Sequence, residues 1–217
     1  MEKSIKVWDW PTRLFHWSLV VLFGGMWFTG EQGGDWLQYH IWSGEAIAVL
    51  LLFRLIWGVI GSETARFSQF VKGPAAIRAY LQGKWTPRPG HNPLGALMVL
   101  ALLAVLLVQV GSGLFATDVD SYTFDGPLAR LISGELSESV TRFHKLLFNL
   151  ILLLVGLHIA AIVAYRVIKK QNLVRAMLTG CQAVDGQTPA PYFRAWQLAL
   201  LSLLLSGGGV YLLLTRL

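Results

Sequence analysis

Five histidines occur in the chain, and four of them, His16, His40, His144 and His158, stand in or at the ends of long apolar runs. Neutral imidazole is the commonest side-chain metal ligand, so the spacing of these four carries the first chemical information. His144 and His158 are 14 residues apart. On an α-helix that is about 21 Å of rise and about 1400° of rotation, 40° short of four full turns, so the two share one face at two depths. Arg54 follows His40 by the same interval and shares its face in the same way. Two imidazoles approaching from opposite sides can saturate a planar macrocyclic metal, and haem sites in helix bundles are built from side chains on facing helices. A lone histidine in an apolar helix is more often a satisfied polar residue than a ligand. The question is therefore whether the four pair up.

The elements that must position them are membrane helices. Of 217 residues, 54% are apolar and 14% charged, about half the usual charge of a soluble domain. Nine tryptophans and a mean hydropathy of +0.54 point the same way. This excludes disordered, collagenous and nucleic-acid-binding classes despite a net charge of +6, because the positive charges sit in loops. Cys181 is the only cysteine, which excludes an intrachain disulfide, a cysteine zinc site or an iron–sulfur cluster held by this chain alone. Charge-free runs of spanning length lie at Leu14–Gly30, Asn92–Thr117, Leu146–Tyr165 and Ala195–Thr215; a fifth, at residues 36–60, is apolar but carries Glu45 and Arg54. The first run is followed by no small-residue cleavage site and reads as a span, not a signal peptide.

Basic residues are retained on the cytoplasmic side, and with the N-terminus inside 13 of the 18 lie there. The outer side holds Arg130, Arg142 and Arg216 with seven acids, Glu31, Asp35, Asp118, Asp120, Asp125, Glu135 and Glu138. The expected topology is N-terminus cytoplasmic and C-terminus periplasmic. This orientation levels His16 with His158 near the inner face and His40 with His144 near the outer one, giving two imidazole pairs from different helices. Arg54 falls near the inner pair, where a guanidinium could meet a haem propionate, and Arg13, one turn before His16, is a second candidate. Snorkelling towards headgroups is the plainer reading of Arg54. Gly44 and Gly58 lie near the same line as His40 and would leave room for a flat ring.

Other polar residues are less specific. His91, in the Pro/Gly turn 88–93, reads as a turn residue or a neighbour of a quinone or propionate. Glu45 is about 140° from His40 and reads as a residue bonded to a neighbouring helix, or else as a proton carrier. Asn149 reads as interhelical hydrogen-bonding glue. Residues 74–83, Pro at one end and Gly at the other, predict a short interfacial helix. The acidic stretch 116–141 is an ordinary solvated loop or a surface that steers a basic periplasmic protein. Arg54, Arg78, His91 and Lys145 are all open as quinone contacts.

The run Val7-Trp8-Asp9-Trp10-Pro11-Thr12-Arg13-Leu14-Phe15-His16-Trp17, the segments His40–Gly44 and Phe53–Gly58, the turn Gly90–Gly95 and the set Arg142, Phe143, His144 and His158 resemble the bacterial cytochrome b561 and nickel-iron hydrogenase b-type cytochrome family. The resemblance covers about residues 5–180. It implies an all-α integral membrane helical bundle with a four-helix di-haem core over residues 1–180; the cytoplasmic linker and fifth transmembrane helix over 181–217 lie beyond the family pattern and are expected to be peripheral. It further implies two non-covalent haem b groups, with His16, His158, His40 and His144 as iron ligands and Arg13 and Arg54 as further cofactor contacts. The expected place is the bacterial inner membrane. Electrons would pass between quinone or quinol and a periplasmic c-type cytochrome or oxidoreductase subunit, with no catalytic residue in this chain. That is an electron-transfer subunit more than a stand-alone enzyme; the alternative is a stand-alone superoxide:quinone oxidoreductase. A haem-free transporter or metal carrier with histidines along its path is a third class. The histidine-free fifth span, with Ser202, Ser206 and Gly207–Gly209, suits close packing or a partner subunit.

Overall fold

The first helix starts where Asp9 caps it. The Asp9 carboxylate accepts the Thr12 N–H at 2.9 Å, its main-chain carbonyl accepts from Arg13, and Pro11 occupies the first turn, where its missing N–H is no loss. A computed structural model describes residues 2–86, 88–119, 123–185 and 188–216; Asp120, one of the acids expected on the outer side, lies outside the described residues. The long helices are α1 (Trp10–Gln32), α2 (Trp36–Ile60), α5 (Pro93–Leu114), α6 (Gly134–Val167) and α8 (Trp196–Arg216), with short α3 (Phe67–Phe70), α4 (Pro74–Leu81) and α7 (Leu173–Thr179) between them. The chain is an all-α membrane protein, as the composition and spans predict, with one addition. Strand β1 (Glu2–Lys6) pairs antiparallel with β2 (Cys181–Asp185), Lys6 opposite Cys181.

Helices α2, α5, α6 and α8 are long and apolar enough to cross a membrane. The remaining expected span, Leu14–Gly30 in α1, is not among them. At 23 residues α1 has the length, about 34 Å, but its Gly, Ser and Thr positions with His16 and Glu31 dilute its apolar character. Helix α6 begins 12 residues before the apolar run that announced it, because its first three turns are amphipathic. Leucines 146, 153, 157, 204, 205 and 212 are all more than half exposed, an apolar surface that needs lipid to cover it.

Two compact units make up the chain. The first comprises residues up to Phe15, Arg54–Ala101 and Leu154–Ser202. Here the ribbon, the start of α1 and α7 bury Ile5, Val7, Trp8 and Ala176 together. Gly180, at φ 85° in the left-handed region that ends α7, presents its carbonyl to the N–H groups of Val7 and Trp8 at 2.7 and 3.0 Å. Tyr192 and Arg194, just before α8, bond to Glu63 and Ser62.

The second unit comprises His16–Phe53, Leu102–Leu153 and Leu203 onward, so segments of α1, α2, α5, α6 and α8 pack in it. The loop from α5 to α6 is pinned to α6: Thr141 accepts the Thr117 N–H at 2.9 Å, and Ser137 donates to Phe115 at 2.7 Å. Ser206 is fully buried on α8, and a Cβ on Gly209 would come within 3.5 Å of Leu52 on α2.

Candidate functional site

Within the second unit the structure brings His40 of α2 and His144 of α6 together, their ring centres 6.3 Å apart and planes 78° to each other. Both are half-buried at a cavity of about 800 Å³. Each ring is held from behind by a main-chain carbonyl of a different helix. His40 Nδ1 lies 3.0 Å from the Met26 carbonyl of α1. His144 Nδ1 lies 3.0 Å from the Gln109 carbonyl of α5 and 3.0 Å from the Ser112 hydroxyl, which itself donates to that carbonyl. A carbonyl can only accept, so Nδ1 carries the proton in both rings and Nε2 keeps its lone pair. This is the outer hydrogen bond typical of a metal-bound histidine, which fixes tautomer and orientation.

The lone pair of His144 Nε2 faces the Gln109 side-chain amide, which donates to it at 3.1 Å while Gln109 Oε1 is buried without a partner among the described residues. Close approach of the rings to neighbouring helices depends on two glycines. A Cβ on Gly113 would meet His144 Cε1 at 2.9 Å, and one on Gly30 would meet His40 Cε1 at 3.1 Å. Asn149 and Gly44 also line the cavity. Asn149 makes no hydrogen bond among the described residues, contrary to its expected interhelical role, because its side chain is exposed there.

The other expected pair is divided between the units, His16 opening the second and His158 lying in the first. In the first unit, Arg54 is 3% exposed, lies 4.8 Å above the Phe67 ring and is attracted by Asp9. Its Nη1 has no hydrogen-bond partner among the described residues. Asp9 itself is committed to the α1 cap and to the Trp57 indole N–H, which donates to it at 2.9 Å. His91 is wedged between Trp8 and Phe70, 4.7 and 4.5 Å between ring centres, with Nδ1 sealed off and unbonded among the described residues. Burial pushes its imidazole down to about 3, and the neighbouring Arg54 and His158 charges push the same way.

Two expectations change. Arg13 does not wait for an acid: Nε donates to Met177 at 3.1 Å and Nη2 donates to Leu178, so the guanidinium caps the C-terminal carbonyls of α7. Gly58 does not make room for a flat cofactor; a Cβ there would fall 2.0 Å from the Phe67 ring, so it makes room for Phe67.

A family model for prokaryotic cytochrome b561 matches residues 7–180. The chain belongs to the prokaryotic cytochrome b561 family. Similar curated proteins are a probable Ni/Fe-hydrogenase B-type cytochrome subunit of Rhizobium leguminosarum bv. viciae, 23% identical over 82% of this chain and 89% of that protein, and a probable Ni/Fe-hydrogenase 1 B-type cytochrome subunit of Escherichia coli strain K12, 23% identical over 80% and 88%. A Bradyrhizobium diazoefficiens protein described like the first is 21% identical over 82% and 85%. No solved structure matches the chain significantly.

This cytochrome b561 is thus a membrane b-type cytochrome, for which the family implies haem b and electron transfer. The residues present fit that group. Among the described residues no cluster of three or more His, Cys, Asp or Glu could hold a bare ion, and a pair of imidazoles is a donor set that suits a haem iron. The cavity, the Nδ1 anchors and the two glycine clearances complete the fit. Sequence reading found both histidines but not Gln109, Ser112 or the Met26 carbonyl. Gln109 and Ser112 are the polar interruptions of an otherwise apolar α5, a signal open to inspection.

Proposed function

We propose that this cytochrome b561 carries electrons across the bacterial inner membrane between the quinone pool and a periplasmic redox protein, through two haem b groups. His40 and His144 hold one; the observation that carries this is the pair of Nδ1 anchors, which leaves both Nε2 lone pairs as ligands. The second, held by His16 and His158, rests on the 14-residue interval and the family likeness. The buried, underbonded guanidinium of Arg54 suits a haem propionate, which also needs a partner at that depth.

Bis-imidazole ligation leaves no open position on iron, so outer-sphere electron transfer is the consistent chemistry and oxygen activation is not. The proposed topology has five spans, α1 included, with the N-terminus cytoplasmic and the C-terminus periplasmic, following the distribution of basic residues. Residues 1–180 form the cytochrome domain, and 181–217 add a linker and α8. The relatives described as Ni/Fe-hydrogenase cytochrome subunits favour an oxidoreductase subunit of that kind as partner.

Adding a short-chain quinol to the oxidised, purified protein in lipid vesicles tests the reading. Both haems should reduce within seconds without another protein. Haems that stay oxidised with quinol but reduce with dithionite would contradict the quinone assignment.

A further inference from the structure

Glu45 lies nine residues into α2, about 14 Å from its first residue, with Ile41, Ala46, Ile47, Ala48 and Val49 around it in sequence. An ionisable group at that depth of an apolar helix is costly and calls for a function. The hydrogen bond to a neighbouring helix expected for it does not form: Glu45 makes no hydrogen bond or ion pair among the described residues, although it is half-buried. It lines two cavities. One is the cavity of His40 and His144. The other, about 380 Å³, lies between α2 and α8, with Trp42 and Val49 on one wall and Gly207, Tyr211 and Thr215 on the other.

Both aromatic rings at this second cavity are open to the surroundings, Trp42 by 55% and Tyr211 by 67%, so it faces the surface that lipid covers. Its α8 wall lies beyond the residues matched to the family. The Thr215 hydroxyl donates to the Tyr211 carbonyl at 2.8 Å, which leaves its oxygen free to accept. A Cβ on Gly207 would meet nothing within 4 Å, so the absent side chain leaves open space.

We propose that this α2–α8 cavity binds the headgroup of a membrane quinone or quinol, with the Glu45 carboxyl as its hydrogen-bonding partner. The proposal deepens the electron-transfer reading and rests on it for the class of ligand. Trp42 and Tyr211 offer faces and edges to a flat ring, and the volume falls in the range of small-molecule sites, about 300–1,000 Å³. Ionised, Glu45 accepts from a quinol hydroxyl; protonated, it donates to a quinone carbonyl. An anionic phospholipid headgroup is repelled by the ionised carboxylate, and an acyl chain offers it no partner. A neutral ring with exchangeable hydroxyls satisfies both the carboxyl and the apolar walls.

The test uses the full chain purified in detergent, a photoreactive azido-ubiquinone with peptide mapping, and equilibrium binding of decylubiquinone to wild type, Glu45→Ala and Gly207→Leu. We expect label on the peptides of Trp42 or Tyr211, displaced by decylubiquinone, and binding about tenfold weaker in each variant. The haem spectrum of Gly207→Leu should stay that of the wild type. Label only beside His91, Lys145 or another segment, wild-type affinity in both variants, or displacement by phospholipid but not by decylubiquinone overturns the proposal. A haem-free protein that labels at Trp42 or Tyr211 sinks the electron-transfer reading and leaves this site standing; a haem-loaded protein that labels elsewhere does the reverse.

Discussion

His91 of the first unit and the His40–His144 pair of the second are held in opposite ways. In the second unit, His40 and His144 are anchored at Nδ1 by main-chain carbonyls and keep a cavity in front of them. In the first, His91 is packed between two aromatic rings and sealed. A histidine that serves as a ligand is held by one nitrogen and offered by the other. One that serves packing is held by its faces. The arginines divide similarly. Arg13 gives Nε and Nη2 to α7, whereas Arg54 keeps a buried Nη1 with no bond among the described residues.

The largest expected effect follows from replacing an anchored ring. His40→Ala or His144→Ala should remove one low-spin b-type component from the visible spectrum entirely, whereas His91→Gln should leave haem content as in wild type. Loss of haem in His91→Gln, or retention in His144→Ala, would break the distinction between held and packed rings.

Next comes Asp9→Ala. It removes a helix cap, about 1 kcal/mol, and takes away the carboxylate that accepts the buried Trp57 N–H, about 1–3 kcal/mol more, so the thermal midpoint in detergent should fall clearly. Two glycine variants sharpen the contrast further. Gly113→Ala should lower haem occupancy by pushing the His144 ring, with little loss of stability. Gly58→Ala should cost about 1–3 kcal/mol through Phe67 while the His40–His144 haem stays in place. Haem titration and melting of the two proteins side by side separate these outcomes.

The packed ring also implies a pH dependence. His91 titrates at about 3 in the folded protein against about 6.5 unfolded. Between those values the unfolded chain binds more protons, so stability falls as pH drops from about 6.5 towards 3 and is unaffected by this group above that window. His91→Gln should flatten part of that acid decline, measured as the difference in thermal midpoint between pH 7 and pH 4.5.

How much was legible in the sequence depended on whether the signal was local. Helix α2 matches its apolar run end to end, and α4 lies within the segment its Pro and Gly mark out. The apolar runs placed all four histidines on helices, and the two 14-residue intervals put His144 with His158, and His40 with Arg54, on one face each, because rotation and rise follow from spacing alone. Contacts formed far along the chain were not legible. The β1–β2 ribbon joins residues about 180 positions apart through main-chain bonds that leave no periodic trace. Arg13 finds α7 164 positions along the chain, and Gly58 is small because of Phe67, which only the fold brings onto it. The start of α6 was hidden because charged residues such as Glu135, Glu138 and Arg142 mask a helix from a search for apolar runs.

The most direct measurement is a reduced-minus-oxidised visible spectrum of the purified full chain, expressed with ample haem, together with haem quantified per chain. Two low-spin b-type haems per chain is the predicted result. No haem, or a single haem that survives His40→Ala and His144→Ala, contradicts the central claim that the anchored imidazoles of α2 and α6 are iron ligands.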